Sequence, residues 1–157
     1  MANYDAKDLA VFNTVCSALD SENLKYIADK EKLTVFLTAR GDDLPINVLF
    51  RVGADRNVLS VNSLLDATVG EDKRIEFAIA INAANYALVN GSFDYDINTG
   101  KIIYRMAHPY LSSGISESIV KYMLYCLFSV VDEYNDRFVL LSQGVIDIAK
   151  FIELANS

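Results

Sequence analysis

The sequence has little of the side-chain chemistry on which catalysis and metal binding most often depend. Its 157 residues include one histidine, His108, two cysteines, Cys16 and Cys126, and no tryptophan. One histidine excludes a His-based metal cluster, and two distant cysteines form neither a CxxC redox pair nor a zinc-binding spacing. We interpret His108, which precedes Pro109 at a strand end, as a surface or capping residue. The cysteines are expected to be small buried hydrophobic residues.

Other absences exclude whole classes of partner. Neither GxxxxGK nor GxGxxG occurs, so no recognised phosphate loop is encoded and we expect no cofactor. The formal net charge of −7 repels phosphate backbones and argues against nucleic acid. The longest strongly apolar stretch, Tyr122 to Val131, has ten residues, whereas a membrane span needs about twenty. Because Met1 to Leu9 lacks the layout of a secretory signal, we expect a cytoplasmic protein without membrane insertion.

Three pairs of acidic residues are the remaining candidates for metal binding or acid–base chemistry. The first pair falls in a predicted turn, the second on the outer face of a predicted hairpin, and the third on the polar side of a predicted helix. They are Asp42 with Asp43, Asp94 with Asp96, and Asp132 with Asp136. Solvent exposure explains all three positions, so we predict no metal ligand, no catalytic residue and no enzyme.

Apolar residues are plentiful, at 52% of the chain, which is enough for the core of one domain over residues 1–157. Three-and-four spacing of apolar residues predicts a helix from about Asp5 to Leu19. Alternation then predicts three sequential antiparallel strands, and a weaker strand at Val58 to Val61. The apolar positions of the three strands are Leu24, Tyr26 and Ala28, then Leu33, Val35 and Leu37, then Ile46, Val48, Phe50 and Val52.

The segment from Glu71 to Val89 contains no Gly or Pro and predicts a second helix. It has two apolar faces, so we expect it to be covered on two sides. One face carries Ile75, Ile79, Tyr86 and Val89, and the other carries Phe77, Ile81, Ala84 and Leu88. A hairpin follows, in which a turn at Asn98 to Gly100 pairs Asp96 with Lys101, Tyr95 with Ile102 and Phe93 with Tyr104.

The last predicted helix starts at Glu117, with Ser116 as its cap. Its apolar stripe continues to Ile152 and keeps its phase across Gly144, which predicts one long helix. A kink near Asn135 or Gly144 is the alternative. The predicted order is therefore α-β-β-β-(β)-α-β-β-α, an α+β fold with an antiparallel sheet of about five strands packed by helices.

One stretch resembles the YbjN family. It runs from Ile81-Asn82-Ala83-Ala84-Asn85-Tyr86 through Gly91-Ser92-Phe93-Asp94-Tyr95-Asp96 to Gly100-Lys101-Ile102-Ile103-Tyr104-Arg105. The resemblance extends back to Leu24-Lys25-Tyr26 and forward to Gly144. It implies the fold of type III secretion chaperones, with a curved antiparallel sheet and frequent homodimers. It also implies a bacterial protein associated with sensory transduction, and it supplies no catalytic residues.

Two groups of residues are candidate sites. Asn82 and Asn85 fall among apolar helix positions, where each amide is expected to bond a loop or neighbouring side chain. The alternative is a polar pocket that these two residues form with Arg105. Two apolar patches on the far face of the last helix, Tyr122 with Tyr125 and Leu140 with Phe151 and Leu154, are either buried within the monomer or form a protein interface.

The sequence therefore favours a non-enzymatic protein-binding module, expected to be a homodimer with a chaperone-like or regulatory role. The alternative is a small-molecule sensor or an unrecognised enzyme that uses the polar pocket.

Overall fold

Six antiparallel strands form one open sheet in the computed structural model, which describes residues 4–157. The order across the sheet is β1-β2-β3-β4-β6-β5. The strands are β1 (Ile27–Asp29), β2 (Thr34–Arg40), β3 (Pro45–Gly53), β4 (Val58–Leu64), β5 (Ser92–Asp96) and β6 (Lys101–Pro109). The helices are α1 (Ala6–Ser21), α2 (Arg74–Ala87), α3 (Glu117–Ser142) and α4 (Ile148–Ala155). Residues 1–3, the start of the segment in which no secretory signal is predicted, lie outside the described residues.

The helices pack on one face of the sheet because alternate strand residues are apolar there and buried. This layered arrangement confirms the predicted α+β class. The opposite face, called the outer face below, has no helix over it among residues 4–157. Exposed side chains of β2, β3, β4 and β6 therefore share one open surface.

Two strands differ from their predictions. β4 is a full seven-residue strand that pairs with β3 on one side and β6 on the other. Its outward residues Ser60 and Asn62 are polar, so the sequence pattern is weak, and pairing on both sides stabilises the strand. β1 has only three residues. Tyr26 precedes it, and the Tyr26 hydroxyl donates to Asp20 Oδ1 at 3.0 Å.

The predicted hairpin is confirmed in its register. β5 and β6 pair Asp96 with Lys101 and Phe93 with Tyr104. In the turn, Asp96 accepts bonds from the Asn98 amide at 2.9 Å and the Thr99 hydroxyl at 2.7 Å. These bonds, led by the Thr99 hydroxyl, lower the pKa of the Asp96 carboxyl below its ordinary value.

The second helix is shorter than predicted. A turn of 3₁₀ helix at Glu71–Lys73 precedes α2, and α2 ends at Ala87 because Leu88 is extended. Val89 therefore lies beyond the helix. Gly91, with φ +72°, lets the chain pass close to the Tyr104 ring, where a Cβ would clash.

The predicted continuous last helix is wrong, and the alternative break near Gly144 is the correct one. The amide of Val145 donates to Leu140 O at 2.9 Å and that of Gly144 to Leu141 O at 3.1 Å, which is a Schellman termination. Gly144 has φ +72°, in the left-handed region. Asp147 then caps α4, since its Oδ1 accepts from the Lys150 amide at 2.8 Å.

The break lets α4 fold back so that its aromatic residue enters the core. Phe151 is fully buried, and its ring centroid lies 4.9 Å from that of Phe138 on α3. Phe138 in turn lies 5.3 Å from Phe93 of β5 and 6.0 Å from Phe77 of α2. This aromatic cluster joins four elements, and each ring pair adds about 0.5–1.5 kcal/mol beyond area burial.

Candidate interaction surfaces

Asn85 lies near the C-terminal end of α2 and fastens that helix to the edge strand β5. Its Nδ2 donates to Phe93 O at 3.0 Å, and its Oδ1 accepts from the Phe93 amide at 2.7 Å. The side chain thus bonds a strand residue as a neighbouring strand would. Both polar atoms of the Asn85 side chain therefore have protein partners, and an anchoring role explains the residue.

The other two residues of the predicted pocket lie elsewhere. Asn82 is exposed on α2. Arg105 projects from the outer face of β6, where its guanidinium bonds the Asp94 carboxylate at 2.8 Å. Since α2 packs on the helical side of the sheet, the structure does not bring Asn82 or Asn85 together with Arg105.

The acidic pairs and His108 are surface features. Asp132 Oδ1 accepts from the Asp42 amide at 2.8 Å, and Asp136 Oδ1 accepts from the Arg137 amide. The Nδ1 atom of His108 lies 2.8 Å from Pro109 O. Within residues 4–157, no group of three or more His, Cys, Asp or Glu side chains is arranged to hold a metal ion. No helix in that range has the length and apolar character of a membrane span.

The tyrosine pair, Tyr122 and Tyr125, projects from α3, and each side chain is about half exposed. The Tyr122 hydroxyl accepts from the Asn90 side-chain amide. The Tyr125 hydroxyl donates to Glu22, whose other carboxylate oxygen lies 2.9 Å from Lys121 Nζ. The bond from Tyr125, followed by that from Lys121, lowers the pKa of Glu22, and the carboxylate raises the pKa of Tyr125.

The second predicted patch is not one surface. Phe151 belongs to the aromatic cluster, whereas Leu140 and Leu154 are half-buried. Leu154 O accepts a bond from Arg137 Nη1 at 3.2 Å. The fold of the monomer therefore covers most of this patch.

A larger apolar surface lies on α2. The exposed fractions of Ile75, Ile79 and Tyr86 are 69%, 53% and 88%. These residues, with Asn82 between them, form one helical row, which we call the α2 stripe. The opposite face of α2 is buried. We predicted that the helix would be covered on two sides, and in the single chain only one side is covered.

The outer face of the sheet carries a groove that sequence reasoning missed. Its apolar end has a volume of about 390 Å³ and lies across β2, β3, β4 and β6. Phe36 and Leu64, 40% and 51% exposed, line it. The polar end adjoins it at Asn62. The apolar end is lined by Phe36, Asn47, Val48, Leu49, Asn62, Leu64 and Ile103, and the polar end by Arg51, Gly53, Asp55, Arg56, Val58, Ser60, Asn62, Arg105 and Ala107.

The groove left a signal in the sequence. Residues at the solvent-facing positions of a half-exposed sheet are normally polar. Phe36, Leu49 and Ile103 occupy those positions, and each lies between two buried residues of its strand. Apolar residues on the wrong parity in three strands indicate a second apolar face.

Solved structures place this fold in a known class. A chain of the HopA1–SchA chaperone–effector complex matches with a TM-score of 0.62 at 14% identity, over 85% of this chain and 99% of that one. A chain of the ExsC–ExsE complex matches with a TM-score of 0.56 at 14% identity, over 85% and 96%. The predicted fold, that of type III secretion chaperones, is confirmed.

The family is established by the sequence itself. The chain belongs to the YbjN family, described as "Putative bacterial sensory transduction regulator", whose model matches residues 12–139. The crystal structure of YbjN from E. coli is similar, with a TM-score of 0.62 at 11% identity, over 85% of this chain and 92% of that one. Among proteins with curated functions, none matches this sequence.

Proposed function

We propose that this protein is a non-enzymatic protein-binding module that acts as a homodimer, in a chaperone-like or regulatory role in bacteria. The observation that carries the proposal is the α2 stripe, because three large apolar side chains project into solvent from a helix whose other face is core. Similarity to a chain from a chaperone–effector complex supports the binding role, and membership of the YbjN family supports the regulatory one.

The α2 stripe suits another protein better than a small molecule. Its members lie along one side of a helix, without the concave walls that enclose a ligand. Burial of an isoleucine or similar side chain contributes about 1.5–3 kcal/mol, so Ile75 and Ile79 alone supply several kcal/mol. A second copy placed symmetrically would cover both stripes at once. We place the homodimer contact on this stripe, with the tyrosine pair at its rim, because Tyr122 bonds Asn90 just beyond the end of α2.

The test is the mass of the protein in solution. Light scattering over a range of micromolar concentrations should give twice the chain mass for the wild type. Ile79→Glu should give a monomer, because a carboxylate in an apolar contact is costly. Tyr125→Glu should weaken association less. Leu111→Glu is the matched control, since Leu111 is at least as exposed as Ile79 and lies in a loop after β6, and it should leave the dimer unchanged.

Each other result removes part of the proposal. A monomeric wild type at every concentration would show that there is no homodimer. A dimer that survives Ile79→Glu but dissociates with Tyr125→Glu would transfer the interface from α2 to the tyrosine pair.

A further inference from the structure

We infer that the groove on the outer face of the sheet binds an amphipathic, acidic helix of a partner protein. The inference rests on the proposed protein-binding role but uses a surface on the opposite side of the sheet from α2. Four observations carry it: an uncovered apolar patch, arginines at one end of that patch, the fixed spacing between the two, and the satisfied backbone of the sheet.

The apolar patch consists of two cross-strand pairs. Phe36 of β2 is directly opposite Leu49 of β3 in the register, and Leu64 of β4 is opposite Ile103 of β6. Leu49 is itself opposite Asn62, so Leu49 and Leu64 are diagonal neighbours that join the two pairs. Adjacent strands lie about 4.8 Å apart, so four strands span roughly 14 Å. That width exceeds the diameter of one helix, which is about 10–12 Å with side chains.

The arginines stand two residues further along the same strands. Arg51 follows Leu49 on β3, and Arg105 follows Ile103 on β6, so each guanidinium is attached roughly 7 Å from the apolar patch. Arg105 already bonds Asp94. Arg51 is exposed and makes no ion pair with any residue from 4 to 157, so it offers unused donors to a carboxylate.

The charge of these residues opposes that of the whole molecule. With a net charge of −7 the protein repels acidic segments over most of its surface. At the polar end of the groove, Asp55 pairs with Arg56 and Asp94 pairs with Arg105. Arg51 is therefore the charge that attracts an acidic segment locally, which favours one place and one orientation of binding.

The backbone hydrogen bonds of the sheet favour a helical conformation for the bound segment. A segment laid on the face of a sheet finds no free amide or carbonyl groups there, because the strands bond one another. An extended segment would leave its own backbone groups unpaired over an apolar surface, whereas a helix satisfies them internally. The opposite face of this sheet is covered by helices for the same reason.

A second copy of the chain fits the groove poorly. In a symmetric face-to-face contact, Arg51 would lie against the partner's arginines or its apolar patch. In both cases the guanidinium would lose water without gaining a free carboxylate, since Asp55 and Asp94 already bond arginines. The occupant is therefore a helix with apolar residues at i and i+3 or i+4 and an Asp or Glu about one turn away, since one turn rises 5.4 Å.

The test uses a phage-displayed library of random peptides of about sixteen residues, roughly four helical turns. Selection on the wild-type protein should enrich sequences with this apolar and acidic spacing. The selected peptides should bind Leu64→Glu at least about tenfold more weakly and Arg51→Glu about fivefold more weakly. Binding should also weaken as salt increases.

Two controls show whether weaker binding comes from loss of the groove contact, from misfolding of the variant or from its changed net charge. Lys30→Glu makes the same charge change as Arg51→Glu at an exposed turn outside the groove, and it should leave binding unchanged. Thermal unfolding of each variant, measured alongside, should match the wild type because Leu64 and Arg51 are exposed.

Several outcomes would overturn the inference. Enrichment of basic or neutral peptides would remove the role of the arginines. Peptides that bind Leu64→Glu normally but lose binding to Ile79→Glu would place the partner on α2, so that the proposed function stands and this inference fails. A library without binders, together with a dimer that dissociates in Leu64→Glu, would assign the groove to a second copy.

Discussion

Replacement of Asn85 by alanine removes the two hydrogen bonds that fasten α2 to β5. Each bond contributes about 0.5–1.5 kcal/mol net, and the partly buried Phe93 amide and carbonyl lose their partner. Alanine has the higher helix propensity, which offsets about 0.5 kcal/mol. The expected loss of unfolding free energy is therefore about 2 kcal/mol, and the melting temperature should fall by roughly 4–8 °C for a chain of this length.

The matched control is Asn82→Ala, one turn earlier on the same helix. The Asn82 side chain is exposed on the single chain and bonds no other residue in the range 4–157. In the Ile79→Glu background, which is expected to be monomeric, its loss should change stability by less than about 0.5 kcal/mol. Circular dichroism during thermal and urea unfolding measures both variants. Equal effects from the two substitutions would refute the anchoring role of Asn85, and they would do so whether both were small or both large.

Two further predictions concern the helix break and the pH dependence of stability. Gly144→Ala should destabilise the protein by about 1–2 kcal/mol in urea unfolding, because alanine is disfavoured at φ +72°; an unchanged midpoint would contradict the Schellman termination. Because the folded-state pKa of Glu22 lies below its ordinary value of 4.5, its contribution to stability is present above about pH 4.5 and is lost as pH falls through the folded-state pKa. The stability difference between the wild type and Glu22→Gln should therefore be larger at pH 6 than at pH 3, and equal differences would contradict the bonds from Tyr125 and Lys121.

The hairpin could be predicted to the residue because two independent signals agree there. The turn at Asn98 to Gly100 sets the register, and the alternation around Phe93 and Tyr104 sets the faces. β4 carries no such agreement, since three of its seven residues are polar and its pairing partner β6 lies some forty residues away. Strands stabilised by distant neighbours leave weak local patterns.

The helix break illustrates a different limit. Apolar periodicity alone extends through Gly144, because Ile148 and Ile152 of α4 continue the phase of α3 by coincidence. The fully buried aromatic residue of α4 is instead Phe151, which lies outside that stripe. The termination signals were local: a glycine, and Asp147 placed three residues before Lys150. Weight given to those capping residues would have located the break.

The candidate sites also divide into those that local sequence patterns predict and those that depend on tertiary packing. Tyr122 and Tyr125 project from α3 as the helical wheel places them, and they are exposed. The burial of Phe151 depends on α4 folding back, which the sequence pattern did not predict. The groove requires four strands to be in register, so no single segment of the sequence reveals it.

The aromatic cluster can be completed only after the last of its rings has been synthesised. Phe77 and Phe93 leave the ribosome first and Phe138 follows, but Phe151 emerges last. Until α4 forms, Phe138 lacks the ring that lies 4.9 Å from it in the finished fold. A nascent chain that has not yet formed α4 therefore leaves part of the Phe138 ring uncovered, as incompletely packed intermediates do, and docking of α4, rather than formation of the sheet, completes the cluster.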